Sequence, residues 1–148
     1  MGVLIGIIAF VVIFLFVYLY RKDRKKESKA NLIKENAREK VKLACSTIKL
    51  EEIKEDNMET LQDREVSFSI QNRLIEELNT NNITLNGIFQ IDETGINHSV
   101  INIMYVGDDY KEACNDDSAK ITYAIGLTID GLKLLKEDSV LINEKYNY

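Results

Sequence analysis

Proline is absent from the 148 residues, where an average chain carries roughly 5%. No proline-rich spacer can therefore separate its parts, and nothing of that kind interrupts a helix leaving a membrane. Histidine occurs once, at His98, with no recognisable nucleophile motif around it and no metal-ligand partner beside it in sequence, so neither a histidine-based catalytic group nor a histidine metal site is expected. The two cysteines, Cys45 and Cys114, match no C-x-x-C or zinc spacing and read as small buried thiols of a cytosolic protein. Phosphate-binding and dinucleotide-binding glycine loops and the H-E-x-x-H pattern are also missing. No catalytic, cofactor-binding or metal-ligating residue is assigned, and the expectation is a protein that is not an enzyme and takes no cofactor.

What is present begins with Val3 to Tyr20, "VLIGIIAFVVIFLFVYLY", eighteen residues without a charge. As a helix the run is about 27 Å long, close to the roughly 30 Å hydrocarbon core of a bilayer. Fourteen of its positions are Val, Ile, Leu or Phe, each favouring insertion by roughly 0.3 to 0.6 kcal/mol near the centre. No small-residue cleavage site of the A-x-A kind follows, which predicts an uncleaved anchor rather than a secretory signal. Five cations, Arg21, Lys22, Arg24, Lys25 and Lys26, fall within the next six positions, and Tyr18 and Tyr20 suit the interface beside them. By the positive-inside rule the remainder of the chain is expected on the cytoplasmic side of the cell membrane, crossed once.

The formal net charge of −5 conceals a polarity: residues 21 to 43 carry ten Lys/Arg against four Asp/Glu, and residues 44 to 148 carry nine against twenty. Hence the organisation expected is a transmembrane anchor (1 to 20), a basic juxtamembrane segment with a connecting helix (21 to 56) and an acidic domain (57 to 148). Ile33, Ala37, Val41, Ala44 and Ile48 recur at helical spacing along one stripe, too short for a confident coiled coil and suited to packing against the domain. "DNME" at 56 to 59 reads as a capping box opening a second helix. A third is predicted over 65 to 79, with Val66, Ile70, Leu74 and Leu78 on its apolar line and Phe68 and Ile75 widening it.

After residue 80 the pattern becomes β-rich. Asn86-Gly87 and Glu93-Thr94-Gly95 read as turns, Ile88 to Ile91 and Val100 to Val106 as paired antiparallel strands, and Ile121 to Leu127 as an alternating strand. Between them "GDDYKEACNDDS" reads as a loop or short helical insertion. Its cluster Asp108, Asp109, Glu112, Asp116 and Asp117 lacks the spacing of a calcium loop and is read as solvated. Thr128 is placed as the N-cap of a closing helix whose buried face is Leu132, Leu134 and Leu135.

Three segments carry a family resemblance: "RLIEELNTNNI" (73 to 83), "GIFQIDETG" with "SVINIMYVG", and "GLTIDGLKLLKEDSVL" (126 to 141). Together they resemble the small YjcQ-like winged-helix proteins of low-GC bacteria and their phages, over about half the chain. The resemblance implies an α+β winged-helix-like domain of three to four helices with a three-stranded antiparallel β wing. It also implies that Gln71, Asn72 and Arg73 on the would-be recognition helix are contact residues. Duplex binding needs several cations against phosphates, and this helix offers Arg73 beside Glu65, Glu76 and Glu77; a protein partner is expected in place of nucleic acid. The leading expectation is thus a membrane-anchored interaction or regulatory module, with the bilayer and a protein as partners. A chain with an apolar N-terminal helix running on into an α/β head is also similar to type IV pilins and pseudopilins, subunits of extracellular filaments. The basic cluster and the lack of a glutamate early in the apolar run depart from that pattern. A membrane-tethered DNA-binding regulator is a further, weaker alternative.

Overall fold

A computed structural model describes residues 2–48, 64–81, 83–93, 100–128 and 131–139. The capping box at 56 to 59, the Thr94-Gly95 part of the second turn, and His98 lie outside the described residues. Helix α1 (Gly2–Thr47) is a single uninterrupted element of 46 residues, as a chain without proline allows. Its first half is exposed throughout, whereas Ala30, Ile33, Ala37, Val41, Ala44 and Cys45 enter the core, followed by Ile48 just past the helix end. The stripe legible in the sequence is thus buried in the chain's own head. Two of its members are alanines at 0–2% exposure, which lets the helix axis approach the sheet closely.

Helix α2 (Arg64–Asn79) contributes Ile70, Leu74 and Leu78 to the same core. Phe68, expected on its apolar face, instead points to solvent at 63% exposure, and Ile75 is only partly buried. The helix packs against β1 and α1, and the side chain of Val66, expected on the same apolar line, lies outside the described residues.

The sheet is an antiparallel meander in the order β1 (Gly87–Ile91), β2 (Val100–Gly107), β3 (Ile121–Thr128), β4 (Gly131–Ser139), with helix α3 (Asp108–Cys114) between β2 and β3. The alternation of β2 and β3 resolves as expected: Ile101, Ile103, Tyr105, Ile121, Tyr123, Ile125 and Leu127 face inward. Phe89 packs against Tyr105 and Tyr123, with ring centroids 5.2 and 6.4 Å away. The acidic insertion takes the helical alternative, and Tyr110, Ala113 and Cys114 pin it to the core.

Residues 131–139 correct the sequence reading. They form a fourth strand, where a closing helix and a three-stranded wing were expected. The Leu134-Leu135 doublet suits a helical period, but the register slips between Ala124 and Ile125: Ile125 pairs with Leu134 and Ala124 with Lys136. Leu135 is the extra residue of this β-bulge. It lies over Gly126, where a Cβ would come within 2.9 Å of its side chain. Thr128 does not cap a helix; its hydroxyl donates to the Gly131 carbonyl at 2.8 Å across the hairpin end. Gly131 has φ +125°, a backbone conformation that disfavours a side chain. The inward alternation of Leu132 and Leu134, and the ladder that β4 gives β3, outweigh local helix propensity.

The edge of β1 is closed by a side chain. Asn79, the last residue of α2, accepts from the Phe89 N–H at 2.9 Å and donates to the Phe89 carbonyl at 3.0 Å, as a neighbouring strand would. Lys40 of α1 donates to the Thr80 carbonyl at 2.7 Å, tying down the end of the same helix. Replacing Asn79 by Ala should cost about 1–3 kcal/mol through the two unmet backbone groups. Hydrogen exchange of the full chain in detergent should show the Phe89 amide losing protection; unchanged protection there would refute the edge-closing role.

Candidate functional site

Two regions of α1 carry the chemistry. The first is the junction at Tyr20 to Lys29. Arg21, Lys22, Arg24 and Lys25 are exposed, and Lys26 is half-buried. Arg24 folds back one turn, its Cζ 5.3 Å from the Tyr20 ring centroid, a cation–π contact that draws the guanidinium toward the apolar end. Lys29 reaches in the other direction, to within 4.0 Å of Glu112 on α3. The apolar run before this junction has a mean hydropathy of 3.0 over its best 18-residue window, with none of it buried. It is one candidate membrane span, by length and composition.

The second region is the clasp between α1 and the sheet edge. Lys34 and Arg38, one turn apart on α1, converge on Glu137 of β4. Arg38 Nε donates to one carboxylate oxygen at 2.6 Å and Nη2 to the other at 3.0 Å, and Lys34 Nζ lies 3.6 Å away. This is a two-pronged guanidinium–carboxylate pair with the carboxylate at 12% exposure. Burial pushes the Glu137 carboxyl up, but the Arg38 hydrogen bond and charge, helped by Lys34, outweigh it and hold the group below its ordinary range. The Glu137 hydrogen bond and charge raise Arg38 in turn. Next to Glu137 in the register is Tyr123, whose buried hydroxyl finds no hydrogen-bond partner among the described residues. Burial raises its pKa further than any other influence on it.

The remaining sequence candidates fall apart in space. Asp109 is structural: it accepts from the Tyr105 hydroxyl at 3.0 Å, from the Asn86 N–H at 3.0 Å and from the Tyr110 N–H at 2.8 Å. The paired glycines Gly87 and Gly107 make room for this contact, since a Cβ on either would lie 2.7 Å from the Tyr105 hydroxyl. Asp116 accepts from the Ser118 N–H and hydroxyl at 2.9 and 2.6 Å. With Asp108, Glu112 and Asp117 it lines an open surface depression that also contains Lys111. No three His, Cys, Asp or Glu side chains among the described residues are gathered for a metal ion. Asn72 and Arg73 are exposed on α2 and Gln71 is half-buried, with exposed Glu76 and Glu77 beside them. Cys45 and Cys114 are buried thiols outside any disulfide. Burial pushes Cys45 up to about 11 and raises Cys114 as well, so both stay protonated at neutral pH.

No family model, curated protein or solved structure matches the chain. The clasp was missed in the sequence. Lys34 and Arg38 show the spacing of a shared helix edge, yet their partner lies 99 residues from Arg38, in a segment whose expected helix would have turned it elsewhere.

Because the Glu137 carboxyl is depressed in the folded chain, its contribution to stability is complete above its ordinary pKa of 4.5 and disappears as pH falls through the lower folded value. Glu137→Gln should cost about 1–3 kcal/mol at neutral pH, between the exposed and buried limits for ion pairs. Denaturant titrations from pH 7 to pH 3 should show the variant losing less stability than the parent; parallel curves would remove Glu137 from the account.

Proposed function

We propose that the chain is a single-pass, non-enzymatic membrane module that presents an acidic α+β head at the cytoplasmic face for binding another protein. One observation carries the reading: the apolar run and the helix at the centre of the head are a single helix, α1. A partner bound to the head is thereby held at a fixed distance from whatever surface receives the first eighteen apolar residues. The orientation rests on the cations at Arg21, Lys22, Arg24, Lys25 and Lys26 on the trailing side of that run.

The winged-helix reading is supported by the order of elements up to β2, a helix followed by a two-stranded hairpin. Strand β4 departs from it. In that comparison α2 would be the contact helix through Gln71, Asn72 and Arg73. Arg73 is exposed there together with Glu76 and Glu77, which favours a protein surface over phosphate. A second reading, a filament subunit similar to type IV pilins and pseudopilins, draws support from the same continuous helix packed on an antiparallel sheet. The basic cluster speaks against it.

A reporter fused after residue 148 and read in intact cells should lie inside. Reversing Arg21, Lys22, Arg24, Lys25 and Lys26 to Glu should expose the head to external protease in a measurable fraction of molecules. A head outside the cell in the parent chain, with Cys45 and Cys114 oxidised, would favour the filament reading. In fluorescence anisotropy at physiological salt the full chain in detergent should not bind duplex DNA; tight binding that weakens steeply with salt would replace the protein partner by nucleic acid.

A further inference from the structure

The charges at the junction are sorted by side of the helix. Successive residues step about 100° round α1, which puts Arg21, Arg24 and Lys25 in one arc. That arc is nearly opposite the side from which Ala30, Ala37 and Val41 enter the core. Asp23 and Glu27 fall on the head side of the helix. Of the cations off this arc, Lys22 is exposed on the flank of the helix, Lys26 is half-buried and Lys29 lies 4.0 Å from Glu112.

We propose that Arg21, Arg24 and Lys25 form a docking face for the anionic headgroups of the leaflet next to the head, and that this face tilts α1 so that the acidic head is turned away from the bilayer. The inference rests on the anchor reading above. Three observations choose a lipid surface as occupant. The arc directly continues the exposed apolar run, so its cations stand within about 8 Å of the end of that run along the axis, the depth of the headgroup layer. Arg24 is folded back against Tyr20, toward that layer. The head is acidic, with twenty Asp/Glu against nine Lys/Arg over residues 44 to 148, so an anionic surface attracts the arc and repels the head. The two forces act on opposite sides of one rigid helix and turn it the same way.

The test uses the full chain in vesicles of phosphatidylcholine containing spin-labelled phosphatidylglycerol or phosphatidylcholine, with the fraction of motionally restricted label as readout. The parent chain should prefer phosphatidylglycerol about threefold or more at low salt, each surface cation adding to the attraction. Arg21→Gln, Arg24→Gln and Lys25→Gln together should bring the preference close to one. A control with the same charge change on the head side, Lys26→Gln, Lys29→Gln and Lys111→Gln, should keep most of it. Restricted lipid without headgroup preference in the parent chain, or equal loss in both variants, would overturn the docking face and leave the anchor standing. Absence of any restricted lipid would remove the anchor and the face together.

Discussion

A hydrocarbon layer and a protein core make the same demand of a backbone: every N–H and C=O inside them must find a partner without help from water. One unbroken ladder of hydrogen bonds lets helix α1 meet that demand in the core of the head and would meet it equally for the apolar half in a bilayer. Its side chains then divide the work. Large aliphatic and aromatic groups cover the first half on all sides, and a narrow stripe of small residues in the second half lets the sheet come close. The described elements of the head are arranged around that second half, with β4 of the meander, α2 and α3 each packed against it.

The head is held to the helix by polar contacts where apolar ones run out. Lys40 reaches the end of α2, Lys29 reaches α3, and Lys34 with Arg38 takes hold of β4. These cations belong to the basic half of a chain whose acids lie mostly further on, so the polarity visible in the composition is partly spent inside the fold. Among the described residues, the outward cations Arg21, Arg24 and Lys25 have no ion pair with an acid of the head.

Legibility in the sequence followed periodicity. The apolar run could be read because it is unbroken by any charge, and the stripe from Ile33 to Ile48, α2, and strands β1 to β3 because one face of each is buried and the pattern repeats. Phe68 and the segment after Thr128 failed for a common reason: in both places an apolar residue at a plausible position was assumed to be core. Leu135 is exposed because strand alternation puts it on the face opposite Leu134; the bulge there shifts the phase so that Glu137 and not Lys136 shares the side of Leu134, and bulges leave no signal in spacing. The contacts that matter most for the candidate site, Arg38 with Glu137 and Asn79 with Phe89, are single pairs between distant segments. Neither residue type nor spacing announces them before the topology is known.

A helix without interruption has a fixed phase as well as a fixed length. One residue inserted between Arg21 and Lys29 would lift the head by about 1.5 Å and swing it by about 100° relative to the apolar half. Chain length across the junction therefore acts as an angular setting, and drift in that length would re-aim the head without touching any residue that lines its surface.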